Sequence, residues 1–123
     1  MKFSESLKKN RDFQQVYSQR DSKANRYLIL YKKENGSERN RVGISVSKKV
    51  GNSVVRHRVK RLIRESYRRQ EAEFPRGLDL VIIARPAAKD KSFAEIDSAL
   101  MHLGRLHHII DVESGETVEK DSH

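Results

Sequence analysis

Cysteine is absent from the 123 residues, and proline occurs only twice. The first absence excludes a disulfide framework, a thiolate zinc site and a cysteine nucleophile, and it fits a reducing compartment. The two prolines act as stops: Pro75 closes one connection and Pro86 ends one apolar segment. No apolar run approaches the roughly 20 residues that span a bilayer. The N-terminal Met1-Lys2-Phe3-Ser4-Glu5-Ser6 has no signal-peptide core, so a soluble, cytoplasmic protein is expected. Catalytic signatures are missing too. There is no Walker-type loop, no Gly-x-Ser-x-Gly elbow and no His-Glu-x-x-His. A metal-dependent nuclease needs clustered carboxylates, and Asp79 is the only acid in a predicted central strand, with no evident partner. The histidines show no metal-ligand spacing: His102 and His107 are five apart and point in different directions on a helix.

Acids are scarcest where bases are densest. From Lys48 to Arg69 nine basic residues face one acid, Glu65. The net charge is +9, and the pI is about 10.0. Residues 111–123 hold five acids against Lys120, a net −4, which leaves +13 on residues 1–110. Such density repels itself unless a polyanion offsets it, so a nucleic acid is the expected partner.

The pattern predicts one domain over residues 1–110 and an acidic, disordered tail over 111–123. Residues 1–9 read as frayed. Asn10 is the expected cap of a short helix carrying Phe13, Val16 and Tyr17. Arg20 to Asn25 reads as a loop. Tyr27 to Tyr31 is a strand with Leu28 and Leu30 on one face and Tyr27, Ile29 and Tyr31 on the other. A turn at Glu34-Asn35-Gly36-Ser37 leads to a second strand, Arg41 to Ser47, and the two are expected to form a hairpin. After Gly51, Asn52 or Ser53 caps an amphipathic helix. Val55, Val59, Leu62, Ile63 and Ser66 share its inner face, and Arg56, Lys60, Arg61, Arg64 and Arg68 fill the outer arc. Leu78 to Arg85 is a central strand. Ser92-Phe93-Ala94-Glu95 is a capping box, and Ile96, Leu100, Leu103 and His107 form the core stripe of the helix it opens.

The charged arc is more than a solvated face. Arg56 and Arg58 stand in the first helical turn, where the macrodipole disfavours cations, and alternating Glu/Lys pairs are missing. Phosphate resolves both conflicts. His57 sits among these arginines, as an RNA contact or a neutral spacer. For the aromatics two readings stay open: Phe13, Tyr17, Tyr27 and Tyr31 fill the core, or they present a platform for single-stranded bases.

Residues 48–65, KKVGNSVVRHRVKRLIRE, resemble the RNR motif of the bacterial ribonuclease P protein subunit, Lys-Lys-hydrophobic-Gly-Asn-Ala-Val-x-Arg-Asn-Arg-x-Lys-Arg. Leu7-Lys8-Lys9-Asn10-x-Asp12-Phe13, Ala24-Asn25-Arg26 and Ile82-Ile83-Ala84-Arg85 resemble that family as well, so the likeness spans roughly residues 7–108. Departures are His57 at the family's Asn and Ser53 at its Ala. The resemblance implies an α/β (α+β) two-layer sandwich, with a mixed four-stranded sheet, three helices and a left-handed βαβ crossover. It implies assembly with a large catalytic RNA and removal of the 5′ leader of precursor tRNA, with the chemistry and the Mg²⁺ ions belonging to the RNA and no catalytic residue in the protein. By the same resemblance Lys48, Lys49, Asn52, Arg56, His57, Arg58, Arg61 and Arg68 bind the catalytic RNA. Phe13, Tyr17, Ile29 and Tyr31, with Lys60 and Arg64 nearby, bind the leader. No membrane or DNA partner is implied.

Three other classes share some of these features: a ribosomal-protein-like RNA binder, a DNA-binding helix and a protein-only nuclease. The DNA reading needs a partner helix directly before residue 54, where a strand and Gly51-Asn52 stand instead.

Overall fold

The computed structural model describes residues 1–111, so the expected acidic tail lies, beyond Asp111, outside the described residues. Five strands and three helices follow in the order β1 (Ser4–Ser6), α1 (Asn10–Ser18), β2 (Ser22–Ala24), β3 (Leu28–Glu34), β4 (Asn40–Ser45), α2 (Ser53–Gln70), β5 (Leu78–Ala84) and α3 (Phe93–Leu106). The strands form one mixed sheet in the order β1-β4-β5-β3-β2. The class is α+β, as the resemblance implies. The sheet has five strands rather than four, and each edge strand is only three residues long, with no hydrophobic alternation to announce it.

The expected hairpin does not form. β3 runs antiparallel to β5, β4 runs parallel to it, and β5 lies between them. The cause is burial. Six of the seven residues of β5 are buried, and only a central position covers both faces of such a strand. Residues 35–39 cross over the start of β5. Two strand spacings amount to roughly 10 Å, well within the reach of five residues. Asn35 holds this crossing: its backbone N–H donates to Gly77 O (2.9 Å), and its side-chain amide donates to Arg39 O (3.0 Å) and to Asp79 Oδ1 (2.9 Å).

Two apolar clusters flank the sheet. Leu28, Leu30, Val42, Leu80 and Ile82 pack against Val59, Ile63 and Tyr67 of α2 and Ile96, Leu100 and Leu103 of α3. Each such side chain contributes about 1.5–3 kcal/mol by leaving water. The opposite face carries a smaller cluster of Leu7, Val16 and Val81, to which Phe13, Tyr17, Tyr31 and Ile83 add. Thus α2 and α3 share one face of the sheet, and α1 lies across the other.

Residues 1–9 are not frayed. The Glu71 carboxylate accepts from the backbone N–H of Lys2 (2.7 Å) and Phe3 (3.0 Å), Ser4 Oγ meets the Tyr67 hydroxyl at 2.7 Å, and β1 pairs in parallel with Asn40–Val42. These anchors are polar, so a hydrophobic pattern could not reveal them. The expected loop at 20–25 contains β2, whose exposed residues pair with β3 through backbone alone. Lys9, not Asn10, is the N-cap of α1, with no side-chain cap bond. Asn52 caps α2 and Ser92 closes the capping box of α3. His107 joins the core stripe: its Nε2 lies 2.7 Å from Leu30 O, and burial lowers its pKa.

Candidate nucleic-acid interface

Two surfaces on opposite sides of the sheet carry the residues singled out in the sequence. The first is α2 with the turn that precedes it. Val50 is buried, and its N–H donates to Ser47 O (3.0 Å), which pins the turn and turns Lys48 and Lys49 outward. Gly51 allows the turn to meet the helix: a Cβ there would stand 2.7 Å from a methyl carbon of Val55. Asn52 Oδ1 then accepts from Val55 N–H at 3.0 Å, and Arg56 Nη1 donates to Gly51 O at 3.2 Å. Asn52 and Arg56 therefore also shape the turn that displays the lysines.

The remaining cations divide by row. Arg56, Lys60 and Arg64 recur every four residues along one side of α2, and His57, Arg61 and Arg68 follow on the neighbouring row. No acid stands in the first turn. Arg58 turns toward α3, donating to Lys91 O (2.9 Å) and Lys89 O (3.5 Å). Arg68 and Arg69 both grip Glu65, at 2.7 Å and 2.9 Å, and these bonds hold the Glu65 carboxyl down at about 2. Among the described residues, the side chains of Lys48, Lys49, His57, Lys60, Arg61 and Arg64 make no hydrogen bond or ion pair within the chain. A helix with unneutralised cations and no acid in its first turn suits phosphate.

The second surface lies between α1 and the sheet. Alternation along β3 places Ile29 and Tyr31 on the α1 side, opposite Ile83 and Val81 of β5. Tyr17 and Tyr31 meet edge to face with centroids 5.0 Å apart, and Phe13 and Tyr17 are 6.4 Å apart. Phe13, Tyr17, Ile29 and Tyr31 are half-buried. The rings of Phe13, Tyr17 and Tyr31 help to close the small cluster and keep part of their surface in solvent. Burial, and then the neighbouring Tyr31, raise the Tyr17 pKa, so its phenol stays protonated at neutral pH. Tyr27 is not among them; it packs against the other cluster.

Lys60 and Arg64 do not join the aromatics. They belong to α2, on the other face, and Arg64 lines a small hollow with Ser6, Val42 and Ile44. Since β1 pairs only with Asn40–Val42, β4 is the bare edge of the sheet from Gly43 to Ser45. The two surfaces therefore approach each other around that edge.

Sequence reasoning missed two residues that set the aromatic cleft. Asp79 does have a partner. Arg41 donates to it from Nε (3.0 Å) and Nη2 (2.7 Å) and reaches Asp12 of α1 at 3.3 Å. Burial pushes the Asp79 carboxyl up, but the bonds from Arg41 and Asn35 outweigh it and hold the group below the ordinary aspartate range. Gly43 lies under Phe13, so close that a Cβ would stand 2.5 Å from the ring. A glycine inside an alternating strand is the signal that could have revealed this approach.

Residues 1–107 match the family model described as Ribonuclease P. The ribonuclease P protein component of Lachnoclostridium phytofermentans is 58% identical over 107 residues, covering 87% of this chain and 92% of that one. The component from Alkaliphilus metalliredigens is 52% identical over 110 residues, covering 89% and 99%. The solved RNase P protein of Staphylococcus aureus superposes with a TM-score of 0.79 at 37% identity over 86% of this chain and 97% of that one. That of Thermotoga maritima gives 0.75 at 30% over 81% and 96%. No described helix is long and apolar enough to cross a membrane. A helix crowded with unneutralised cations, a half-buried aromatic cleft and the motif that unites them thus have one common context: the chain belongs to the bacterial ribonuclease P protein family, auxiliary subunits of an RNA-based endoribonuclease.

Proposed function

We propose that α2 and the turn before it dock on the catalytic RNA, and that the cleft under α1 holds the 5′ leader of precursor tRNA. Lys48, Lys49, His57 and Arg61 contact phosphate directly in this reading. Asn52, Arg56 and Arg58 shape the surface as well as touch it, and Arg68 is shared with Glu65. Phe13, Tyr17, Ile29 and Tyr31 receive leader bases. Lys60 and Arg64 meet the leader backbone where it rounds the bare edge of β4. The observation that carries the reading is the division itself: free cations on one face of the sheet, half-exposed rings on the other.

The chain's part is electrostatic and positional. A ribozyme and its substrate are both polyanions, and a strongly basic body between them screens their repulsion. Stacking tolerates sequence variation, which suits leaders of differing sequence and broadens the range of substrates. Among the described residues no three His, Asp or Glu converge, and Asp12 and Asp79 both bind the Arg41 guanidinium. We assign the Mg²⁺ and the hydrolytic step to the RNA. The test is reconstitution at low Mg²⁺ with a ribonuclease P RNA and a precursor tRNA. Protein plus RNA should release the leader at the mature 5′ end. Cleavage there by RNA-free protein, rising with its purity, would sink the proposal.

A further inference from the structure

The segment Ala24-Asn25-Arg26 belongs to the resemblance, yet neither surface above uses it. The structure shows what Asn25 does. Its Oδ1 accepts from the backbone N–H of Tyr27 (3.2 Å) and Leu28 (3.0 Å), and its Nδ2 donates to Ala99 O of α3 (2.9 Å) and lies 3.2 Å from His102 Nδ1. Arg85 adds a bond to Asn25 O at 3.0 Å. The turn between β2 and β3 is thereby clamped onto α3. Between them lies a groove of about 480 Å³, with Arg26 and Tyr27 on one wall and Ala94, Ser98 and His102 on the other.

This groove is joined to the motif helix by charge. Arg58 holds the carbonyls of Lys89 and Lys91, which keeps both lysines at the flank of α2. Lys91 Nζ in turn stands 5.4 Å from the centre of the Tyr27 ring. A cationic strip thus runs from α2 through Lys89 and Lys91 to Arg26. Glu95, the one acid lining the groove, is engaged by the N–H and hydroxyl of Ser92.

We propose that the groove is a second docking point for the catalytic RNA and takes one unpaired nucleotide. The base lies against Tyr27 and the Ala94–Ser98 wall, and the flanking phosphates lie on Arg26 and Lys91. An aromatic wall, an imidazole for the base edge and nearby cations are the elements that single-stranded RNA uses. The groove is on the face of the sheet that carries α2 and α3, away from the aromatic cleft, which assigns it to the catalytic RNA and not to the leader. The inference rests on the reading that α2 assembles with that RNA.

The experiment measures the affinity of the full chain for ribonuclease P RNA across a salt series, with melting temperatures in parallel. Ser98→Trp fills the groove from an exposed position and should weaken assembly about tenfold, the loss of one modest stack. Arg26→Ala, also exposed, should lower the magnitude of the log-affinity against log-salt slope by about 0.7–0.9. If Ser98→Trp lowers the melting temperature, Arg26→Ala decides. Unchanged assembly and slope in Arg26→Ala would overturn the proposal, as would a loss seen only with precursor tRNA. Wild type and Arg61→Ala run alongside: an inert Arg61→Ala would instead strike at the docking role of α2.

Discussion

Replacing Gly43 by alanine probes the cleft through its floor. The added carbon would stand 2.5 Å from Phe13 Cζ, 2.7 Å from Cε1 and 3.2 Å from Leu7 Cδ2. Carbon atoms rest at about 3.5–4.0 Å, so the ring must retreat by about 1 Å. Crowding of this kind costs about 1–3 kcal/mol of stability. The retreat also moves the ring away from any base stacked on it. One base–aromatic stack is worth about 1–3 kcal/mol, which is roughly five- to a hundredfold in affinity. The assay is equilibrium binding of the reconstituted holoenzyme to precursor tRNA and to leaderless tRNA, with the protein–RNA affinity measured separately. Gly43→Ala should lose affinity for the leader-bearing substrate alone. It should leave assembly intact, because the residue lies across the sheet from α2. Full affinity for the leader in a variant of lowered melting temperature would refute the reasoning, since Phe13 would then have moved at no cost to the substrate.

Glu65→Gln should tighten assembly with the catalytic RNA and steepen its salt dependence by about 0.7–0.9 per cation freed, because Arg68 and Arg69 lose the carboxylate they share; an unchanged slope in a filter-binding series would mean neither reaches phosphate. Asp79→Asn should lower stability at neutral pH by about 1.5–3 kcal/mol, the worth of a charged hydrogen bond. The folded-state pKa of Asp79 is depressed, so its contribution is full above the unfolded value of about 3.9 and fades as pH falls through the folded value. The gap between wild type and variant in denaturant titrations should therefore close below about pH 4, and a gap constant with pH would contradict the Arg41 pairing. Truncation after Ile110 should leave leader removal intact at moderate salt, because the five acids beyond it carry the wrong sign for phosphate; lost cleavage by a normally folded truncation would count against this.

What was legible in the sequence followed from periodicity and local chemistry. The faces of α2 and α3, their caps, and the inward Leu28 and Leu30 all rest on side-chain spacing that operates within one element. The pairing of β5 between β3 and β4 was not legible, because a turn signal at Gly36 announces a reversal but not which strand receives it. The edge strands escaped because β1 is held by Glu71 and Tyr67, more than sixty residues away, through polar bonds. The site divides in the same way. The cationic arc could be read from spacing; of the aromatics, Phe13, Tyr17 and Tyr31 gather as the spacing suggests, whereas Tyr27 precedes β3 and packs on the other cluster. The Arg41–Asp79 pair was hidden because it joins two strands whose pairing and register no local pattern fixes. Lys60 and Arg64 stand across the sheet from the aromatics because of how α2 packs on it, a property of the fold and not of either residue.

The central claim is that assembly and leader binding occupy opposite faces of one sheet. The most direct measurement is a cycle of Tyr31→Leu and Arg61→Ala, singly and together, in which affinity for the catalytic RNA and for precursor tRNA with and without its leader is determined for each. Tyr31→Leu keeps apolar volume but removes the ring, and should weaken only leader-bearing substrate, by about fivefold or more. Arg61→Ala should weaken only assembly, and the two effects should add. Equal losses from Tyr31→Leu on both substrates would contradict the account, because the ring would then be filling the core under α1 and the leader would have to lie elsewhere.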